Sequence, residues 1–431
     1  MTLRPDASPC TIGDVCDFES GNGFRPQDWK TKGLPIIRIQ NLNGSDSFNY
    51  FDGEPDPAWI VEPNDLLFAW AGVKGVSFGP TIWNGPKGVL NQHIYRIRPK
   101  KGVNKRWLYY ALLEVTAEIE SKAHGFKTNL VHVRKADITR ARLSLPGEHE
   151  QEAVATALGH WDIAIQKTEQ LIAAKERRRE ALTQRLYMFS DSRGKLSRFS
   201  DLLSESMESG SSGRHARKIT VKLYGKGVLA KEEKRHGSEQ TQYFVRRAGQ
   251  LIYSKLDFLN GAFGIIPPEL EGYESTLDLP AFDIAPTVNP VWLLGYLTRP
   301  KYYTRQVGLA RGQRKARRVH PSDLLASSLH VPPRDLQDRI AEILNSSQCD
   351  IDKSNRLLES LKTQKRGLMR KLLTGQWRLP VFDAPSPPAP LPQAGEGGRR
   401  PGEGASAENK TAPEEVQSRS ANRDKSNPCK K

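Results

Sequence analysis

Two short stretches concentrate side chains suited to a polyanion. The first, Gly125-Phe-Lys-Thr-Asn-Leu-Val-His-Val-Arg-Lys135, offers Lys127, Thr128, Asn129 and Arg134. The second, Arg311-Gly-Gln-Arg-Lys-Ala-Arg-Arg-Val-His320, offers Arg311, Gln313, Arg314, Arg317 and Arg318. Glycine admits a close backbone approach, Lys and Arg neutralise phosphates, and Arg, Asn and Gln make paired hydrogen bonds to base edges. A solvated surface loop accounts for the same residue types. A third stretch, Arg38-Ile-Gln-Asn-Leu-Asn-Gly44, puts Gln40, Asn41 and Asn43 at a strand end, and Asn91-Gln-His93 opens another strand. Asn and Gln read adenine, but Asn-Gly is first of all a turn signal. Trp70, Trp83 and Trp107 read as core.

No constellation for catalysis accompanies these stretches. The chain has no GxxxxGK[ST] loop and no HExxH, and its nine histidines do not pair at metal-ligand spacing. The run Gly72 to Gly79 lacks GxGxxG spacing and reads as a strand-connecting turn. No Asn-Pro-Pro-aromatic or Asp-Pro-Pro-aromatic tetrapeptide, expected of an amino-methyltransferase, occurs. Asp65 has no acidic-x-Lys pair of the kind a metal-dependent nuclease needs. The expectation is a chain without catalysis, metal or bound cofactor. Two alternatives stay open: a stand-alone DNA nuclease or methyltransferase with an unrecognised active site, and a coiled-coil scaffold with non-specific DNA affinity.

Charge points the same way. Lys plus Arg number 65 against 49 Asp plus Glu, a formal net charge of +16 over 431 residues. The last fifty residues are close to neutral, with 8 basic and 7 acidic side chains, so the excess sits on the body. A folded body that basic suggests nucleic acid before membrane. The longest apolar run, Val291 to Leu297, is far short of a membrane span, and the first residues carry no apolar signal core. Four cysteines without CxxC spacing suggest reduced thiols and a cytoplasmic location.

The elements that must position these residues come as a repeat. Ala141-Arg-Leu-Ser-Leu-Pro-Gly-Glu-His-Glu-Gln151 matches Ser327-Ser-Leu-His-Val-Pro-Pro-Arg-Asp-Leu-Gln337 at an offset of 186. Asp65 to Ala69 matches Gln250 to Ser254, and Ile12 to Cys16 matches Phe199 to Leu203, at offsets of 185 and 187. Each unit ends in a long helix of 3.5-residue period, which predicts a coiled-coil seam. One copy runs through Val154, Leu158, Trp161, Ile165, Thr168, Ile172, Lys175, Arg179, Leu182 and Leu186. The other runs through Ile340, Leu344, Ser347, Ile351, Ser354, Leu358, Leu361, Lys365, Leu368 and Leu372. Both carry a hydroxyl at the fifth position and a base at the eighth, and the matched defects favour pairing over packing on a separate core. The basic runs Lys175 to Arg179 and Lys362 to Arg366 read equally as solvated helix faces or as contacts to phosphate or an acidic partner. Ahead of each helix lies a mixed α/β head. The strands are Leu34 to Ile39, Leu66 to Trp70 and Val89 to Arg96, then Gln250 to Ser254 and Ala281 to Ile284. Trp107 to Glu120 reads as helix, Val291 to Thr298 as helix or strand, and Ser204 to Gly213 as a polar loop. From Ala384 the composition predicts a disordered tail.

The signatures Leu143-Ser-Leu-Pro146 with Glu150-Gln151, Leu329-His-Val-Pro-Pro333 with Gln337, and Lys365-Arg-Gly-Leu-Met-Arg-Lys-Leu-Leu-Thr-Gly375 stand in the order head, helix, head, helix. In that order they resemble the specificity subunit of Type I restriction-modification systems, over about residues 10 to 378. The resemblance implies a mixed α/β (α+β) fold with two tandem target recognition domains, at 1–147 and 191–332. Helices at 148–190 and 333–378 would form an antiparallel coiled coil, and 379–431 a disordered tail. It also implies a non-catalytic subunit that reads a bipartite, asymmetric site on double-stranded DNA. Two modification (methyltransferase) subunits would methylate adenine in each half-site, and motor-nuclease restriction subunits would cut. S-adenosyl-L-methionine, ATP and Mg2+ would belong to those partners. A 40-residue helix of about 60 Å, at ~1.5 Å per residue, is long enough to space two heads one DNA turn apart.

Overall fold

The computed structural model describes residues 9–122, 130–232, 237–312 and 317–379. The chain divides into two units, residues 1–167 with 358–431, and residues 168–357.

In the first unit, Pro9–Thr11 pairs antiparallel with Arg142–Ser144, closing the head where its chain enters and leaves. The central sheet has the order Cys16–Ser20, Ile94–Pro99, Leu66–Ala69, Gly79–Ile82, antiparallel throughout. A second four-stranded sheet contains Leu34–Ile37 and Gly88–Leu90 as its inner strands. The helix Lys105–Lys122 lays Trp107, Leu108 and Leu112 on Phe68 and Ile97. Asn104 caps it, its Oδ1 accepting from the amides of Arg106 and Trp107 at 2.9 and 3.0 Å.

The second unit repeats this plan. Lys195–Arg198 pairs with Ser328–Val331. The central sheet runs Leu203–Ser206, Ala281–Ile284, Leu251–Tyr253, Phe263–Ile265, with the same strand order and pairing sense. The helix Pro290–Leu297 is capped by Asn289, which accepts from Val291 and Trp292 at 2.9 and 3.1 Å. Trp292 is fully buried, as is Trp107.

One buried glutamine in each unit ties the head to the start of a long helix. Gln151, 1% exposed, accepts from the Asn104 amide at 2.7 Å and donates to the carbonyls of Pro146 and Gly102 at 2.9 and 3.0 Å. Gln337, also 1% exposed, accepts from Asn289 at 2.8 Å and donates to Pro332 and Thr287 at 2.9 and 3.3 Å. The sequence repeat is therefore a repeat of hydrogen-bond partners as well as of strands.

The long helices are Glu148–Arg193, 46 residues, and Arg334–Leu373, 40 residues. In the first unit Val154 and Leu158 share a core with Met369 and Leu372, and Asp162 pairs with Lys365. Numbers rise along one helix as they fall along the other, so the pair is antiparallel. Lys365 also lies 5.2 Å from the Tyr110 ring, and the Tyr110 hydroxyl donates to Asp162 at 2.6 Å. In the second unit Tyr187, with Leu186 against it, joins Ile340 and Leu344. Lys175 donates to Ser354 Oγ at 3.1 Å. All thirteen residues expected to pair the helices are removed from full exposure. Val154, Leu158, Ile172, Ile340, Leu344, Ile351, Leu358 and Leu372 are buried, and Ile165, Leu182, Leu186, Leu361 and Leu368 are half-buried. Thr168 and Ser354, the matched hydroxyls, are buried with them. The fold is mixed α/β, two tandem pseudo-repeated units with long helices packed antiparallel.

Several local expectations change. Val89 to Arg96 is two strands, interrupted by Asn91-Gln92-His93. The strand from Leu34 stops at Ile37 and a helical turn, Ile39–Leu42, follows. Ser204 to Gly213 is not a loop. Leu203–Ser206 and Ser209–Ser212 are strands, the latter supported by its ladder with Gln242–Val245 rather than by apolar side chains. Cys10 and Cys16 are free thiols, and Cys429 lies outside the described residues. The tail from residue 380 lies outside the described residues.

Candidate nucleic-acid interface

Each unit presents polar loops at the ends of its strands. In the first, Arg38–Gly44 leaves the strand Leu34–Ile37 as one helical turn. Asn41 is 5% exposed and spends its amide inside the loop. Its Oδ1 accepts from the Arg38 amide at 3.0 Å, and its Nδ2 donates to Ser45 and Ser47 carbonyls at 2.8 and 3.0 Å. Asn41 thus braces the turn and does not face outward, which corrects its place among the base-reading candidates. Gln40 and Asn43, carried by that brace, are exposed, Gln40 donating to the Ser47 carbonyl at 3.3 Å.

Lys127, Thr128 and Asn129 lie outside the described residues. Just after them, Leu130–His132 pairs with Ala71–Val73, and Arg134 stands exposed before the short helix Lys135–Thr139. A cluster the sequence did not single out sits there. Trp70, half-buried, has the His132, His93 and Tyr95 rings at 4.7, 5.2 and 6.0 Å. Its indole N–H donates to the Gln92 carbonyl at 3.1 Å, and Gln92 is exposed. His93 Nδ1 is buried without a partner among the described residues. Trp83 and Trp107 are core, as expected, and Trp70 packs half-buried against the core of the first unit. The dipeptide Gln92-His93 was visible in the sequence; the ring partners meet only through strand pairing.

In the second unit Ala310–Arg311 pairs with Arg318–Val319, setting Arg311 opposite Arg318. Carboxylates relieve that juxtaposition of like charge. Arg311 pairs with Asp323, and Arg318 lies 3.6 Å from Asp278. Arg317 is exposed, and Gln313 and Arg314 lie outside the described residues. Both paired arginines keep much of their surface, Arg311 at 70% and Arg318 at 42% side-chain exposure. Two other arginines are structural. Arg96 binds Glu19 Oε2 at 2.6 Å, and Arg246 donates to Ser275 Oγ at 2.7 Å and to the Ser206 carbonyl at 2.8 Å. Burial holds the Arg246 guanidinium below its usual value, at about 10.

Lys175 and Lys365, which stand on the predicted seam as well as in the basic runs, bind across the helix pair. Among the described residues no group of three or more His, Cys, Asp or Glu is placed to hold a metal ion, and no helix is long and apolar enough to cross a membrane.

Two tandem units thus repeat one plan, each with polar loops beside its sheets. Residues 6–176 match the family model of the Type I restriction modification DNA specificity domain. The chain is 26% identical over 179 residues to the Type I restriction enzyme EcoBI specificity subunit of Escherichia coli, covering 40% of this chain and 36% of that protein. It is 26% identical over 129 residues to the MjaVIII specificity subunit of Methanocaldococcus jannaschii, covering 30% and 29%. Each alignment thus spans about a third of the relative's length. A solved chain described under complex assembly and conformational transition of the type I R-M system superposes with a TM-score of 0.57 at 14% identity, over 88% of this chain and all of that one. The resemblance to Type I specificity subunits drawn from the sequence holds, and the shared fold extends through both units.

Proposed function

We propose that this chain is the DNA-binding specificity subunit of a Type I restriction-modification complex, with no chemistry of its own. The recognition domains are residues 1–147 and 191–332, each reading one half of a bipartite, asymmetric duplex site. Helices 148–190 and 333–378 are spacers. Two modification subunits and the restriction subunits assemble on the chain, methylate adenine and cleave. They bring S-adenosyl-L-methionine, ATP and Mg2+, and the complex works in the cytoplasm.

The observation that carries this reading is the duplication of the head with its Gln151 and Gln337 ties, because two heads of one plan supply one surface for each half of a bipartite site. Lys127, Thr128, Asn129, Arg134, Gln40 and Asn43 are assigned to one half-site, and Arg311, Gln313, Arg314, Arg317 and Arg318 to the other. The test is binding of the purified full-length chain to duplex DNA across a salt series, with turnover assays in S-adenosyl-L-methionine or Mg2+. Sequence-selective binding that survives moderate salt supports the reading, because charge-only binding falls steeply there. Robust turnover by the chain alone would replace it with the catalytic alternative.

A further inference from the structure

The second unit contains a basic stretch that the sequence left without a role. Arg214 to Lys231 holds Arg214, Arg217, Lys218, Lys222, Lys226 and Lys231 and no acidic residue. Its centre is an antiparallel hairpin, Ile219–Val221 with Val228–Ala230. One face is anchored, with Ile219, Val221 and Val228 buried against Ile252, Ala262 and Ile266. The turn between the strands, Lys222 to Gly227, is exposed at Lys222, Leu223, Tyr224 and Lys226.

That turn is held in a costly conformation. Tyr224 has a φ of 58°, in the left-handed region, which bulky side chains avoid. Gly225 follows at 66°, where a Cβ would also lie 2.7 Å from Thr298 Cγ2. Two backbone bonds fix the tip: the amides of Tyr224 and Gly225 donate to the carbonyls of Asn260 and Gly261 at 2.9 and 2.8 Å. Glycine or asparagine would serve this backbone better than tyrosine. Packing does not explain the ring either, since Tyr224 is 61% exposed and Leu223 37%. A residue unsuited to its backbone and unused by the core is placed there for what it meets outside.

We infer that the Lys222–Gly227 turn is a DNA-contacting finger of the second unit, in which Lys222 and Lys226 hold phosphates and the Tyr224 ring lies against bases in a groove. Uniform positive charge selects a polyanion, and an aromatic face between two cations matches bases between phosphates. The rigid seating of the tip lets the ring approach without first being ordered. This assignment rests on the proposed DNA-binding function and adds residues to its second half-site.

The test uses the full-length chain and fluorescence anisotropy on a labelled duplex carrying the motif methylated in cells, beside a scrambled duplex. Tyr224→Gly relieves the backbone, so its unfolding midpoint is expected to equal or exceed that of the wild type. Its affinity for the motif is expected to fall about ten-fold or more, as loss of one base–aromatic contact does. Tyr224→Phe keeps the ring and is expected to bind within about two-fold of wild type. Lys222→Ala with Lys226→Ala is expected to reduce the slope of log affinity against log salt by about two. Motif binding by Tyr224→Gly equal to wild type would overturn the finger while leaving the DNA-binding function standing. A wild-type chain that discriminates no motif would overturn both. Loss of partner-subunit binding with DNA affinity unchanged would reassign the turn to a protein contact.

Discussion

The two glutamines that tie each head to a long helix, Gln151 and Gln337, give the sharpest test of the duplicated architecture. Gln337→Ala removes three hydrogen bonds and leaves the Asn289 amide and the Pro332 and Thr287 carbonyls without their side-chain partner. Each group stranded in a dry site costs about 1 kcal/mol or more, so the loss is about 3 kcal/mol, the 3.3 Å bond to Thr287 contributing least. Gln151→Ala strands the Asn104 amide and the Gly102 and Pro146 carbonyls, and the same reasoning gives about 3 kcal/mol. Urea unfolding measures the loss, and hydrogen exchange of the full-length chain locates it. Gln151→Ala is expected to speed exchange in Lys105–Lys122 and at the start of Glu148–Arg193, and Gln337→Ala in Pro290–Leu297 and at the start of Arg334–Leu373. A change below about 0.5 kcal/mol for either variant would refute the claim that these side chains are equivalent ties.

Further outcomes follow from other contacts. Lys365→Met leaves Asp162 without its ammonium and is expected to cost about 1 kcal/mol in urea unfolding, because Asp162, 44% exposed, keeps water and the Tyr110 hydroxyl as partners. Burial, together with the bond to Asp162, pushes the Tyr110 hydroxyl well above its ordinary value, and burial does the same at Tyr187, Tyr253 and Tyr302. The unfolded chain therefore loses these protons first. Stability is expected to hold below the ordinary tyrosine value, about 10, and to fall as pH rises beyond it. The check is circular dichroism followed with phenolate absorbance, and free titration of these tyrosines in the folded chain would contradict it. Arg317→Ala is expected to weaken duplex binding several-fold and, if phosphate is its target, to lower the salt slope by about one. Four residues inserted into both long helices add about 6 Å to each and are expected to lengthen the unread spacer of the methylated motif; an unchanged spacer would refute the ruler role.

What the sequence made legible is what repeats or has a strict period. The offset of 186 between Leu143 and Leu329 marks two edge strands with equivalent partners, and the 3.5-residue pattern lands on buried and half-buried positions in both long helices. Single residues at loop ends were less legible, because their roles depend on neighbours remote in sequence. Asn41 has the composition of a base reader, yet Ser45 and Ser47 absorb its amide. Arg311 lies in the most basic run, yet Asp323 pairs with it. Trp70 reads as core and packs half-buried against it, yet only strand pairing shows that His132 lies beside its ring. Ser209–Ser212 has no strand-forming pattern of its own and borrows its conformation from Gln242–Val245.

The central claim is that two units of one plan read two separate patches of duplex for partners that modify them. Methylome sequencing of cells expressing this chain with its modification subunits tests it most directly. The expected result is a split adenine-methylation motif, two short specified halves around unspecified bases, that disappears when the chain is deleted. Methylation at a continuous motif, or at an unchanged motif without the chain, would contradict the account.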